Sequence, residues 1–134
     1  MIKSTLLVST LLTVIAQGVT AQSASTGATN DYAFCADRPA EPEYLSAMSP
    51  RESNRKILIQ RIYISMAFEN VISSSDCSCA SRFPSWDLAI EEFLQEYAHI
   101  DSRWELLEAT SRYTNEMDRL RNLAQPICDS IGHW

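Results

Sequence analysis

The sequence predicts an all-α protein, a small three-helix bundle with an extended N-terminal arm, stapled by two disulfides. Three observations carry that expectation. Apolar residues recur at helical spacing over two long stretches, after residue 49 and after residue 84. Four cysteines, Cys35, Cys77, Cys79 and Cys128, are spread along the chain. The first 21 residues read as a secretory signal peptide, which would deliver those cysteines to an oxidising compartment.

In the signal reading, Lys3 is the positive n-region and Leu6 to Ala16 an apolar core too short to span a bilayer. Val19-Thr20-Ala21 offers small residues to a signal peptidase, with cleavage near Ala21/Gln22. The expected product is secreted or periplasmic, with no stable membrane anchor after cleavage.

About 113 residues would remain, enough for one modest domain. That mature chain holds 10 basic and 17 acidic residues, a net charge of about −7. Such a balance argues against nucleic acid, whose binding draws on Lys and Arg neutralising phosphates. It also gives no attraction to anionic lipid surfaces.

Residues 22–48 are expected to form the arm. Gln22 to Ala33 is mostly small and polar, so the arm should be partly disordered until Tyr32 and Phe34. Pro39 and Pro42 should keep residues 36–48 extended.

The helical domain occupies residues 49–134, with helices expected over about 50–72, 84–99 and 102–125. Ser49-Pro50-Arg51-Glu52 combines a capping box with proline at the first helical position. The first helix is apolar nearly all round, through Ile57, Leu58, Ile59, Ile62, Tyr63, Ile64, Met66, Ala67, Phe68, Val71 and Ile72. A soluble helix of that kind must be covered on several sides, so it should be central. Residues 73–82 form a loop by composition.

Beyond Phe83-Pro84-Ser85, one seam runs through Trp86, Ile90, Phe93, Tyr97, Ile100, Trp104 and Leu107. A second, offset seam runs through Leu106, Thr110, Tyr113, Met117, Leu120, Ala124 and Ile127. The unbroken first seam favours one helix of about 40 residues, since nothing interrupts it before Pro126. Such a helix would extend roughly 60 Å, far past its partner. Ser102-Arg103-Trp104-Glu105 is itself a capping-box pattern, so a break near His99-Ile100-Asp101 is expected instead.

The cysteines weigh on the same choice. A Cys77–Cys79 bond would close a very small strained ring, and the two other pairings each tie the central loop to both the arm and the tail. If the second and third helices form a hairpin, Cys128 returns to the Cys77/Cys79 loop, within the roughly 4.4–6.8 Å between Cα atoms that a disulfide requires. Cys35 reaches the same end, because the arm spans up to about 46 Å against roughly 36 Å of helix.

Candidate chemistry is sparse. Cys77-Ser78-Cys79 has the thiolate spacing of a Cu(I) or Zn site or a redox pair, but structural disulfides compete for the same sulfurs. His99 and His133 lack finger-like spacing from the cysteines. No metal or cofactor is expected. His99 and Asp101 invite the acid–base pair of a small disulfide-bonded hydrolase, yet a cysteine-flanked His-Asp dipeptide and a Gly-rich calcium loop are both missing. Asp87, Glu91, Glu92 and Glu96 make an acidic stripe without an Asp-x-Asp-x-Asp-Gly loop. Glu108–Arg112 and Arg112–Glu116 are positioned to pair along the third helix. Trp86, Tyr97 and Trp104 are expected in the core, while Trp134 either folds back or meets a partner.

These features point to an exported, non-enzymatic protein acting on a protein partner in the envelope or extracellular space. An accessory subunit of a secretion or conjugation apparatus fits that description. An inhibitor or immunity protein, or a periplasmic chaperone, fits it as well. A hydrolase using His99 is the catalytic alternative.

Overall fold

The structure, a computed structural model, describes Cys35 and residues 38–130. The expected signal peptide, the polar segment before Cys35, His133 and Trp134 lie outside the described residues. Described elements are α1 (Glu43–Ser46), a 3-10 turn (Pro50–Glu52), α2 (Ser53–Ser74), α3 (Cys79–Arg82), α4 (Trp86–Glu96) and α5 (Arg103–Ser130). No strand occurs among them. The three long helices α2, α4 and α5 form the bundle, and the protein is all-α.

The chain enters α2 as its sequence dictates. The Ser49 backbone N–H donates to Glu52 Oε2 at 3.1 Å, and the Ser49 hydroxyl donates to the same oxygen at 2.8 Å. Leu58, Ile59, Ile62, Tyr63, Ala67 and Val71 are buried along α2, which packs against α3, α4 and α5. Coverage on several sides explains why its apolar residues wrap the whole circumference.

Helix α2 stops at Ser75, which takes the left-handed conformation (φ 51°, ψ 32°). A non-glycine residue there costs roughly 1–2 kcal/mol. The turn that follows offsets this through Asp76, whose carboxylate accepts from the Ser78 backbone N–H at 3.0 Å and the Ser81 hydroxyl at 2.9 Å. Residues 73–82, expected as loop, therefore contain the single turn α3, with Ser78 capping its N-terminus.

The break expected near residues 99–101 is present. Helix α4 ends at Glu96, and Ile100 N–H reaches back to the Tyr97 carbonyl at 3.0 Å. Arg55 of α2 then holds the corner, donating to the Ile100 carbonyl at 2.8 Å and to Asp101 at 3.0 Å. Ser102 Oγ accepts from the Glu105 backbone N–H at 3.4 Å as α5 begins. The second helix is thus shorter than the expected 84–99.

Three expectations need correction. Residues 43–46 of the supposedly extended arm form α1, because Pro42 lies just outside the turn, where its fixed φ does no harm. That turn drives Leu45 into the core at 0% exposure. Helix α5 does not stop at residue 125 but continues through Pro126 to Ser130. An internal proline removes a helical bond, at a cost of about 3 kcal/mol. Burial of Ala124 before it and Cys128 beyond it offsets that cost. Finally, the first seam does not continue across the corner: Trp104, expected inside, is 80% exposed.

Two apolar clusters result. The larger gathers Leu45, Leu58, Ile59, Ile62, Tyr63, Trp86, Ala89, Phe93, Leu106 and Ala109. The smaller gathers Val71, Cys77, Ala124 and Cys128 at the other end. Both disulfides sit at that end, Cys35–Cys79 with Cα atoms 5.5 Å apart and Cys77–Cys128 at 5.2 Å.

Candidate functional site

The disulfides dispose of the thiolate reading of Cys77-Ser78-Cys79. Each sulfur is bonded to a cysteine from a different part of the chain, so neither is available as a metal ligand or nucleophile. Among the described residues no cluster of His, Cys, Asp and Glu is arranged to hold a metal ion.

His99 and Asp101 are not brought together. Asp101 turns to Arg55 at 3.0 Å, and His99 is exposed on the corner with no hydrogen bond to it. The acidic stripe splits into local contacts. Asp87 accepts from the Ser85 hydroxyl at 3.0 Å, Gln95 donates to Glu91 at 3.1 Å, and the Tyr113 hydroxyl donates to Glu92. Burial and that carboxylate push the Tyr113 phenol well above its ordinary range. Glu91, Glu92 and Glu96 also face Glu69 across a shallow cleft. There burial, reinforced by Glu116 and Glu92, raises the Glu69 carboxyl. On α5, Arg112 does approach Glu108 at 3.9 Å, but Glu116 pairs with Arg119 at 2.8 Å instead of with Arg112. Position i+3 was the nearer partner.

Two other places stand out. The first is the outer face at the start of α5. Trp104 lies there almost fully in solvent, beside Ser102, Glu105, Leu107, Glu108 and Ser111 around a shallow depression of about 440 Å³. Heptad-like spacing gave no warning of this, since the same interval continues a seam only while the helix itself continues.

The second is a groove along α2 that no sequence motif announced. One compartment, of about 310 Å³, is lined by Ile64, Ala67, Phe68, Val71 and Phe83, with Arg38 and Arg82 at its edge. The two guanidinium carbons lie 4.8 Å and 5.2 Å from the centroid of the Phe83 ring, so both cations lean on one aromatic ring. A second compartment adjoins it, sharing Arg38, Tyr63 and Ile64 and reaching Trp86 and Arg61.

Tyr63 and Trp86 stack almost parallel, with centroids 3.8 Å apart and 6° between planes. Their polar atoms, Tyr63 Oη and Trp86 Nε1, are buried without a hydrogen-bond partner, as is Arg82 Nη1. Burial holds the Tyr63 phenol above its ordinary value, while the nearby Arg38 charge pulls it down.

Comparison with family models, with curated proteins and with solved structures finds no match to the chain. Among the described residues no helix is long and apolar enough to cross a membrane.

Proposed function

We propose that this is an exported, non-enzymatic protein that acts by protein–protein contact through the outer face of α5 around Trp104. The observation that carries the reading is that a tryptophan 80% exposed stands in the first turn of the longest helix. Tryptophan is the side chain whose burial against a partner yields most binding energy, and leaving it in water wastes that potential. The signal-like leader and the two disulfides support the exported, secreted or periplasmic setting.

Glu105 and Glu108 flank the indole, so the complementary surface is a basic one with an apolar socket. An assembly subunit docking on a basic component meets that requirement. The acidic, aromatic character of the patch also favours the second reading, an inhibitor or immunity protein that covers a basic cleft.

The test is chemical cross-linking in the native envelope or culture fluid, comparing the wild type with Trp104→Ala. A discrete cross-linked species should form with the wild type and fall at least about tenfold with the variant, whose helical circular dichroism should be unchanged. A species captured equally by both proteins would remove Trp104 from the interface and end this reading.

A further inference from the structure

The geometry points to the groove along α2 as a binding site for a small amphipathic carboxylate, head group at Arg38 and Tyr63, apolar tail along Ala67, Val71 and Phe83. The inference is independent of the Trp104 face.

Three observations converge on it. The first is charge. In a chain of net charge −6, neither Arg38 nor Arg82 has a carboxylate partner among the described residues, and the two meet at one apolar compartment. Acidic groups are abundant enough to have paired both, and guanidinium groups favour planar carboxylates. The adjoining Glu41 is itself held by Lys56 at 2.8 Å, which offsets its repulsion of an anion.

The second is unmet hydrogen bonding. Tyr63 is 5% exposed and Trp86 9% exposed, and the hydroxyl and indole N–H lining this groove find no acceptor. A buried donor without a partner is costly, and a ligand oxygen would relieve that cost. Tyr63 Oη, Trp86 Nε1 and Arg82 Nη1 are donors or can donate, and the one carboxylate oxygen among the unmet groups, Glu41 Oε1, already faces the Lys56 ammonium at 2.8 Å, so the component these three groups lack is an acceptor.

The third is size and polarity. The tail compartment of about 310 Å³ is lined by aliphatic and aromatic side chains. It is about twice the roughly 150 Å³ cavity that admits benzene, which sets a ligand of about twelve non-hydrogen atoms. Decanoate has that size and places one carboxylate at one end.

The experiment is calorimetric titration of the oxidised full chain with decanoate, decyltrimethylammonium and a short peptide ending in phenylalanine with a free carboxylate. Decanoate should bind one to one below millimolar concentration and at least about tenfold more tightly than the cation of equal tail length. Arg38→Gln and Arg82→Gln should each weaken decanoate about tenfold. Tyr63→Phe should weaken it too, yet leave the ligand-free protein as stable as before, because the hydroxyl it removes had no partner. Ala67→Phe should fill the tail compartment and abolish binding. Equal affinity for decanoate and the cation would reduce the site to an apolar surface and overturn the proposal. So would a failure of decanoate to saturate, or indifference to both arginine substitutions. Preference for the peptide would also overturn it, by making the occupant a protein terminus.

Discussion

The two ends of the bundle are held together by different means. At one end ten buried residues from α1, α2, α4 and α5 form a continuous apolar cluster around Leu58, Ile62 and Phe93. At the other, only Val71, Cys77, Ala124 and Cys128 are buried together, and two disulfides close around them. Helix α4, at 11 residues, is half as long as α2, at 22, and accompanies it only along the first end. Where the third helix is missing, covalent bonds replace the packing it would have supplied. The comparison shows a small domain dividing its stability between solvent exclusion and chain restriction.

Three measurements would break or sharpen that contrast. The largest effect is expected from Cys77→Ser with Cys128→Ser, which opens a loop with a sequence separation of 51. Loop-closure entropy sets the cost at about 4 kcal/mol in urea denaturation. Hydrogen exchange should then speed up around Val71 and Ala124 while Leu58 and Phe93 stay protected. Equal loss at both ends would show one cooperative unit and dissolve the distinction.

A smaller effect is expected from trimming side chains. Leu58→Ala in the large cluster should cost about 3 kcal/mol. Val71→Ala at the stapled end should cost about 1–2 kcal/mol, since it removes less buried surface. Denaturation midpoints of the two variants give the order directly, and a reversed order would mean that the small cluster carries more of the stability than its size implies.

The smallest effect concerns acid. Hydrogen bonds from Ser78 and Ser81 hold the Asp76 carboxyl below its ordinary value. A depressed folded-state pKa stabilises the protein above the unfolded value, and that contribution fades as pH falls through the folded one. Asp76→Asn should therefore flatten the loss of thermal stability between neutral and strongly acid pH, and a variant whose acid profile matches the wild type would remove Asp76 from the stapled end's support.

Much of this arrangement is legible in the sequence, and what is not has a physical reason. Ser49 to Glu52 and Ser102 to Glu105 announce helix starts because capping is decided within four residues. The hairpin follows from cysteine spacing, which is a statement about distance. Passage of α5 through Pro126 is not legible, because the local penalty is visible while the compensating burial of Cys128 is tertiary. Trp104 misleads for a related reason: the seam spacing assumes one axis, and the corner at residues 97–102 rotates the next helix. The groove escapes entirely, since Arg38, Tyr63 and Arg82 are far apart in sequence and become neighbours only in the folded chain.

The overlap of the two disulfide loops has one more consequence. Cys79 closes the loop that begins at Cys35, and Cys77 opens the loop that ends at Cys128, so the spans interlock by three residues. A single peptide-bond cut anywhere between Cys35 and Cys128 leaves the two pieces covalently joined. In surroundings rich in proteases, a nick in the exposed corner or in the loop after α2 would release no fragment.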